Sequence, residues 1–315
     1  MLNTKNVKLS NAKNAKNDEF STRLGDIEKE LNEYDPSVFK DKTIFCNCDD
    51  STNSNFWKFF HMNFHRLGLK KLITTHYNHD GSPSYALEYT SEDPKDDVDF
   101  DKGTKIPLKG DGDFRSPECI ELLKQSDMVV TNPSFSLFKA YIAQLEKYNK
   151  QFIIIGDKKD ITHKEIFPLI EDDKLWLGYT TVTELKQPDG TYKKFSSKLW
   201  LTNVDTKKRH HNLETVYRWN KRAEKYPDLY HKYDNYDAIE VSNVLQIPLD
   251  YDGVMGVPIT FLDAYNPDQF EIIGLARDIV PKGNLISGCL TVSGKRKYGR
   301  ILIRNKHPED YQNDL

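Results

Sequence analysis

Residues 127–135 read Asp-Met-Val-Val-Thr-Asn-Pro-Ser-Phe. Met128 to Thr131 is a short apolar run of the kind that forms a strand buried on both faces. Asn132-Pro133 then stops the strand, because Pro133 has no N–H and a fixed φ. Working outward, Ser136 to Lys150 places Leu137, Tyr141 and Leu145 on one helical face, and Phe152 to Ile155 is the next strand. A helix over Thr162–Ile170 and a strand over Lys174–Gly178 follow. Upstream, Lys42–Cys46 is a strand, and Phe56, Phe59, Phe60, Phe64 and Leu67 recur at helical spacing behind a capping Ser54. Gly68 ends that helix, and Lys71–Thr75 is a further strand. Strands alternating with helices predict an α/β fold, a doubly wound and mostly parallel sheet covered by helices on both faces. Ligands of such sheets bind beyond the carboxyl ends of the strands, which is where Asn132-Pro133 falls.

The remaining segments are less regular. One hairpin is expected around Tyr85–Tyr89 and one helix over Glu118–Lys124. After Tyr179 the alternation breaks. A turn is predicted at Gln187-Pro188-Asp189-Gly190, a strand at Lys198–Thr202 and a last strand at Arg300–Arg304. The expected organisation is a flexible basic arm at 1–17, a catalytic domain at 18–204 and an appended C-terminal recognition region at 205–315.

At 30% charged residues the chain has a wet surface, and no apolar run approaches the roughly 20 residues that span a bilayer. Four cysteines among 315 residues do not form a disulfide framework, so a cytoplasmic location fits. Cys46 and Cys48 have no second pair at finger spacing; no metal is expected. The net charge is only −3, but its distribution is uneven. Residues 281–306 carry seven bases and no acid, among them Lys295, Arg296, Lys297 and Arg300, and a second cluster is Lys207-Lys208-Arg209. Acids gather elsewhere, in Glu92–Asp101. Such separation can build one positive face on a nearly neutral protein, as binding of double-stranded DNA would use, or it can be ordinary solvated faces and tails.

Beyond the single loop, several stretches resemble, in order, the EcoRI-type family of adenine-specific DNA methyltransferases. They are DEF at Asp18–Phe20, FCNCDD at Phe45–Asp50, NFHRLGLKKLI at Asn63–Ile73, GDGDFRS at Gly110–Ser116, SDMVVTNPSFSLFKAYIAQL at Ser126–Leu145, KEIFPLI at Lys164–Ile170, LWLGY at Leu175–Tyr179, LWLTN at Leu199–Asn203 and PLDYDGVMGVPITFL at Pro248–Leu262. The resemblance implies the S-adenosylmethionine-dependent methyltransferase type of sheet, S-adenosylmethionine as cofactor, DNA adenine flipped out of the helix as acceptor, and a partner restriction endonuclease or descent from such a system.

On this reading Asn132, Pro133 and Phe135 are the catalytic residues. The adenine N6 lone pair is delocalised into the ring, so the amine is a poor nucleophile. Asn132 Oδ1 and the Pro133 carbonyl would accept its two hydrogens and leave the lone pair facing the methyl group. Phe135 would stack on the extruded base, worth roughly 1–3 kcal/mol. Cofactor residues follow by position. No Gly-rich loop succeeds the first strand, and Asn47, Asp49 and Asp50 stand there instead, suited to the amino-acid end of the cofactor. Asp113 and Phe114 suit its adenine, and Phe20 lies in a stretch expected to close over it. The sequence departs from the family in three places. Ser134 stands where the catalytic loop usually has a second proline, Ser21 follows DEF in place of an aromatic, and the segment from Tyr179 to Lys198 is short. These departures leave open a second reading, a methyltransferase fold that binds DNA or cofactor without efficient transfer.

Overall fold

The computed structural model describes residues 20–48, 54–93, 100, 102–187, 189–219, 229–280 and 289–309. The arm expected at 1–17 and the acids Asp49 and Asp50 lie outside the described residues. The chain divides into two compact units, one of Met1–Ile166 with Leu177–Val204, the other of Phe167–Trp176 with Asp205–Leu315.

The first unit holds a nine-stranded sheet. In chain order its strands are β1 (Ser21–Thr22), β2 (Thr43–Cys46), β3 (Lys71–Thr75), β4 (Tyr85–Thr90), β5 (Thr104–Pro107), β6 (Met128–Thr131), β7 (Gln151–Asp157), β8 (Trp176–Lys186) and β9 (Tyr192–Thr202). They are arranged β1-β8-β9-β7-β6-β2-β3-β4-β5. The centre is parallel: β7, β6, β2 and β3 run the same way. Both flanks are antiparallel, so the parallel character is confined to the four central strands. Their composition explains this. β2 and β6 are buried at every residue and β7 at all but its first, as continuous apolar runs covered on both faces require.

The helices begin where capping chemistry places them. Ser54 Oγ accepts from the N–H groups of Phe56 and Trp57 at 3.0 and 3.2 Å and opens α1 (Asn55–Met62), whose phenylalanines are buried. The chain bends at Asn63 and a last turn, Phe64–Leu67, ends at Gly68 with φ 64°, a left-handed cap natural to glycine. Ser116 and Pro117 start α2 (Pro117–Gln125). The helix α3 (Phe138–Lys147) follows the Asn132 loop.

Two expectations need correction. The helix over Thr162–Ile170 is instead two short pieces, α4 (Lys158–Ile161) and α5 (Phe167–Glu171). Asp157 and Asp160 form a capping box that starts α4 directly after β7, and Pro168 lacks the N–H needed to run one helix through. The strand at Lys174–Gly178 is the beginning of the 11-residue β8, and Lys198–Thr202 is the end of the 11-residue β9. Gln187 N–H donates to the Thr191 carbonyl at 2.7 Å at the turn between them. The outer half of this hairpin is polar because much of it faces water, with only Val182 and Leu185 of its β8 residues buried.

The second unit is built on a four-stranded sheet in the order β10 (Ile239–Glu240), β11 (Met255–Pro258), β15 (Arg300–Asn305), β12 (Phe270–Leu275). A separate hairpin joins β13 (Leu290–Val292) to β14 (Lys295–Lys297). Ser293 and Gly294 at its tip both have positive φ, as a type I′ turn demands, and Asp234 accepts from both their N–H groups at 3.0 and 2.9 Å.

Candidate active site

The chain leaves β2 toward β3 on one side and later returns to β6 on the other side of β2. Loops leaving the carboxyl ends of β2 and β6 therefore flank a topological switch point. Asn47 follows β2 and Asn132 follows β6.

Asn132 is fixed by its amide nitrogen, which donates to the Phe20 carbonyl at 2.6 Å. Its Oδ1 is buried and has no hydrogen-bond partner among the described residues. An acceptor left in that state costs about 1–3 kcal/mol and calls for a donor. Pro133 is buried, and Ser134 turns the chain with φ −56° and ψ 125°. Leu137 N–H donates to the Ser134 carbonyl at 3.1 Å, closing a single turn over Phe135–Leu137. This turn presents Phe135, half-buried, beside Phe20 at 5.9 Å between ring centroids; Phe20 in turn meets the edge of Phe195 at 5.3 Å.

Lys198, not singled out from the sequence, completes the cluster. In the β7–β9 register it stands opposite Asp157, and its Nζ lies 3.0 Å from Asp157 Oδ2. The same Nζ stands 3.1 Å from the centroid of Phe135 and 5.2 Å from that of Phe195. Its side chain is only 4% exposed. Burial pushes this ammonium below the usual lysine range, and the Asp157 carboxylate opposes the shift. Burial acts upward on Asp157, but bonds from Lys159 N–H, Ser197 and Lys198 outweigh it and hold the carboxyl below its ordinary range. The signal in the sequence was a lysine opening the apolar run Lys198–Thr202.

The cofactor candidates assemble around α3. Tyr141 donates its hydroxyl proton to Asn47 Oδ1 and packs against the edge of Phe114 at 5.1 Å. Asn47 is itself buried; Thr75 Oγ1 holds its carbonyl at 3.1 Å, and its Nδ2 has no partner among the described residues. Gln144 donates to the Phe114 carbonyl at 3.0 Å. Asp113 is engaged by Arg115, whose Nε and terminal nitrogen lie 2.9 and 2.6 Å from its two oxygens; this contact holds the carboxyl below its usual range despite partial burial. The loop before it needs glycine: Gly112 has φ 87°, and a Cβ there would lie 2.0 Å from the His76 carbonyl. Phe20, Asn132 and Phe135 are thus brought together by direct contact, as are Asn47 and Phe114 through Tyr141.

The basic candidates divide. Lys295 and Arg296 are exposed on β14 next to Tyr298, which is 69% exposed. Lys297 is half-buried, with Nζ 3.6 Å from Glu240. Arg300 does not offer a free cation to phosphate. Its side chain is 14% exposed and grips Glu240 with nitrogens at 2.5 and 2.9 Å. Burial acts upward on Glu240, but bonds from Arg300, Tyr233 and Ser242 prevail and hold it at about 2. Arg209 is also committed internally: 10% exposed, it stacks 3.8 Å over Trp176 and pairs with Asp173. Lys207 and Lys208 sit on a short turn beside it, Lys208 Nζ lying 3.7 Å from Asp263.

Residues 8–306 match the model of the family described as adenine-specific methyltransferase EcoRI. The chain belongs to this family. It is 45% identical to the Type II methyltransferase M.EcoRI of Escherichia coli over 331 aligned positions, covering 96% of this chain and 98% of the relative. Type II methyltransferase M.MpnI of Mycoplasma pneumoniae is 38% identical, covering 94% and 97%. Type II methyltransferase M.MgeORF184P of Mycoplasma genitalium is 39% identical, covering 94% and 98%. No solved structure matches. As a member of the EcoRI adenine methyltransferase family, the chain is an adenine-specific DNA methyltransferase with an α/β methyltransferase fold. Its departures from the family pattern now have structural settings. Ser134 holds Ser136 through their hydroxyls at 3.0 Å, Ser21 pairs with Lys186 at the sheet edge, and the segment after Tyr179 is the β8–β9 hairpin. Among the described residues no group of His, Cys, Asp and Glu could hold a metal, and no helix is long and apolar enough to cross a membrane.

Proposed function

We propose that the protein methylates N6 of an adenine extruded from double-stranded DNA, with the Asn132 loop as acceptor site and S-adenosylmethionine as donor. The observation that carries this reading is the buried Asn132 Oδ1, without a partner among the described residues, at the switch point of the sheet. An exocyclic amine supplies the missing donor. Asn132 Oδ1 takes one N6 hydrogen and the Pro133 carbonyl the other, so the lone pair is held toward the incoming methyl group. Phe135 stacks on the base. Neither acceptor needs a shifted pKa; their work is orientation.

The residues present fit the donor. Asn47 Nδ2 is a buried hydrogen-bond donor without a partner among the described residues, which suits a carboxylate, and Phe114 offers an aromatic surface. Asp113 retains lone pairs beyond those Arg115 uses, and we assign it to the adenine end; Asp49 and Asp50 take the ammonium end, and Phe20 covers the site. When bound, S-adenosylmethionine supplies an electrophilic methyl group.

Residues 18–204 are assigned to catalysis and 205–315 to target recognition. Phosphate contact is assigned to Lys295, Arg296 and Lys297, with Lys207 and Lys208, and withdrawn from Arg209 and Arg300. A restriction endonuclease acting on the same site is the expected partner. The test is to sequence methylated adenines in DNA from cells expressing the wild type or Asn132→Ala. A single N6-methylated motif, absent with the variant, supports the reading; its persistence refutes the role of the loop.

A further inference from the structure

We infer that Lys198 is a positioning residue for the target base, holding the Phe135 ring from its inner side so that adenine can stack on one face only. The inference rests on the proposal that the base stacks on Phe135. Lys198 is nearly inaccessible, so the ring face 3.1 Å beneath its Nζ is an inner face. The exposure that Phe135 retains therefore belongs to its other face and rim. Phe135 lies three residues after Asn132 on the same loop, and Phe20 ties the two together by its carbonyl and its ring. A base confined to the outer face of Phe135 thus meets Asn132 Oδ1 in one registration.

The neighbours of Lys198 make its charge conspicuous. Leu199, Trp200 and Leu201 are all buried apolar residues. A buried ion pair rarely adds stability over apolar side chains of similar volume, so packing alone does not call for lysine here. The charge is also carefully supported. Asp157 binds the ammonium, accepts from Ser197 Oγ at 2.8 Å, and caps α4 by accepting from Lys159 N–H at 3.1 Å. The ammonium is therefore fixed in place over the ring rather than free to move away. A cation on one face of a phenyl ring is attracted by its electron density and draws that density toward itself. The opposite face becomes a better partner for an electron-rich purine, and the plane of the ring is fixed.

The test compares Lys198→Met, Lys198→Arg and the double variant Asp157→Asn/Lys198→Met with the wild type and with Asn132→Ala. The substrate is a duplex carrying the mapped recognition site, with 2-aminopurine at the target position for fluorescence and adenine there for transfer. Melting temperature and affinities for DNA and S-adenosylmethionine are measured alongside. The double variant removes both buried charges, so it reports on the site even where Lys198→Met leaves Asp157 unpaired and does not fold. We expect folded, DNA-binding and cofactor-binding variants whose single-turnover rate falls about 2- to 30-fold, the range a desolvated cation–π contact commands. The 2-aminopurine signal should change with it, and Lys198→Arg should recover most of both. Wild-type rate and fluorescence in the folded double variant would overturn the inference. So would a rate loss that merely tracks lost stability or cofactor affinity and is not rescued by arginine. Asn132→Ala inactive beside a normal Lys198 variant defeats only this inference; if both are normal, the loop itself is misassigned.

Discussion

Replacing Asn132 by alanine separates two roles that the structure gives to one side chain. The amide nitrogen tethers Phe20 through a single hydrogen bond of 2.6 Å. Losing such a bond costs about 0.5–1.5 kcal/mol. The amide oxygen is buried without a partner among the described residues, a state that itself costs about 1–3 kcal/mol and disappears with the side chain. The two changes have opposite signs, so the net effect on the stability of the free protein should lie between a loss of about 0.5 and a gain of about 2.5 kcal/mol. Transfer should respond very differently. Removing one pre-aimed hydrogen-bonding group from a reacting centre typically costs about 2.7–4 kcal/mol, or 10²–10³ in rate. The assay is single-turnover transfer of tritiated methyl to site-bearing DNA, beside urea unfolding and S-adenosylmethionine binding. We expect a rate loss of about 10²–10³ with donor affinity nearly intact. Near-normal transfer, or a large stability loss accompanied by lost donor binding, would show that Asn132 is a strut for Phe20 and not the acceptor.

Three further outcomes follow from other parts of the molecule. Replacing Lys295 or Arg296 by alanine should weaken binding to all DNA sequences alike and reduce the slope of log affinity against log salt by roughly 0.9; an unchanged slope with altered sequence preference would place the residue on base edges instead. Ser134 has φ −56°, a value proline adopts without strain, so Ser134→Pro should raise stability by about 0.4–1 kcal/mol and give equal or faster turnover to the same N6-methyladenine; a large loss of rate would mean that the contact to Ser136 is needed. Glu240 is held at about 2, below its ordinary range near 4.5, so its contribution to folding is complete above that range and is lost as pH falls toward 2. That contribution is about 2–3 kcal/mol, and Glu240→Gln should flatten the acid limb of urea midpoints while lowering the midpoint at neutral pH; an unchanged limb would contradict it.

How much of this the sequence reveals depends on where a residue's neighbours lie. The central strands are legible because each is a continuous apolar run, and Ser54 and Gly68 mark helix ends through contacts within a few residues. The outer half of the β8–β9 hairpin is not legible, since a strand wetted on one face carries polar residues that read as loop. The Asn132 loop is visible as a motif, but its tether to Phe20 spans 112 residues. Lys198 reads as a strand residue until β9 brings it opposite Asp157. Arg300 and Arg209 look like surface cations because charge alone does not reveal a partner; Glu240 is 60 residues from the one and Asp173 36 from the other. Ser134 is legible as a substitution, and its φ is one that proline also adopts.

The segment Phe167–Trp176 belongs to the second unit although it lies within the sequence of the first. Trp176 supports Arg209, and a Cβ on Gly274 would come within 2.8 Å of Glu171 Oε1. The polypeptide therefore passes between the units three times, at 166/167, 176/177 and 204/205. A cut at 204 would strip Phe167, Ile170 and Leu175 of the surroundings that bury them, leaving a fragment prone to aggregate. With target recognition assigned to the C-terminal region as proposed, exchange of DNA specificity between relatives by recombination has a geometric requirement. A single crossover near 204 would mismatch the inserted segment with its unit, whereas a graft carrying 167–176 together with the C-terminal region would travel as one piece.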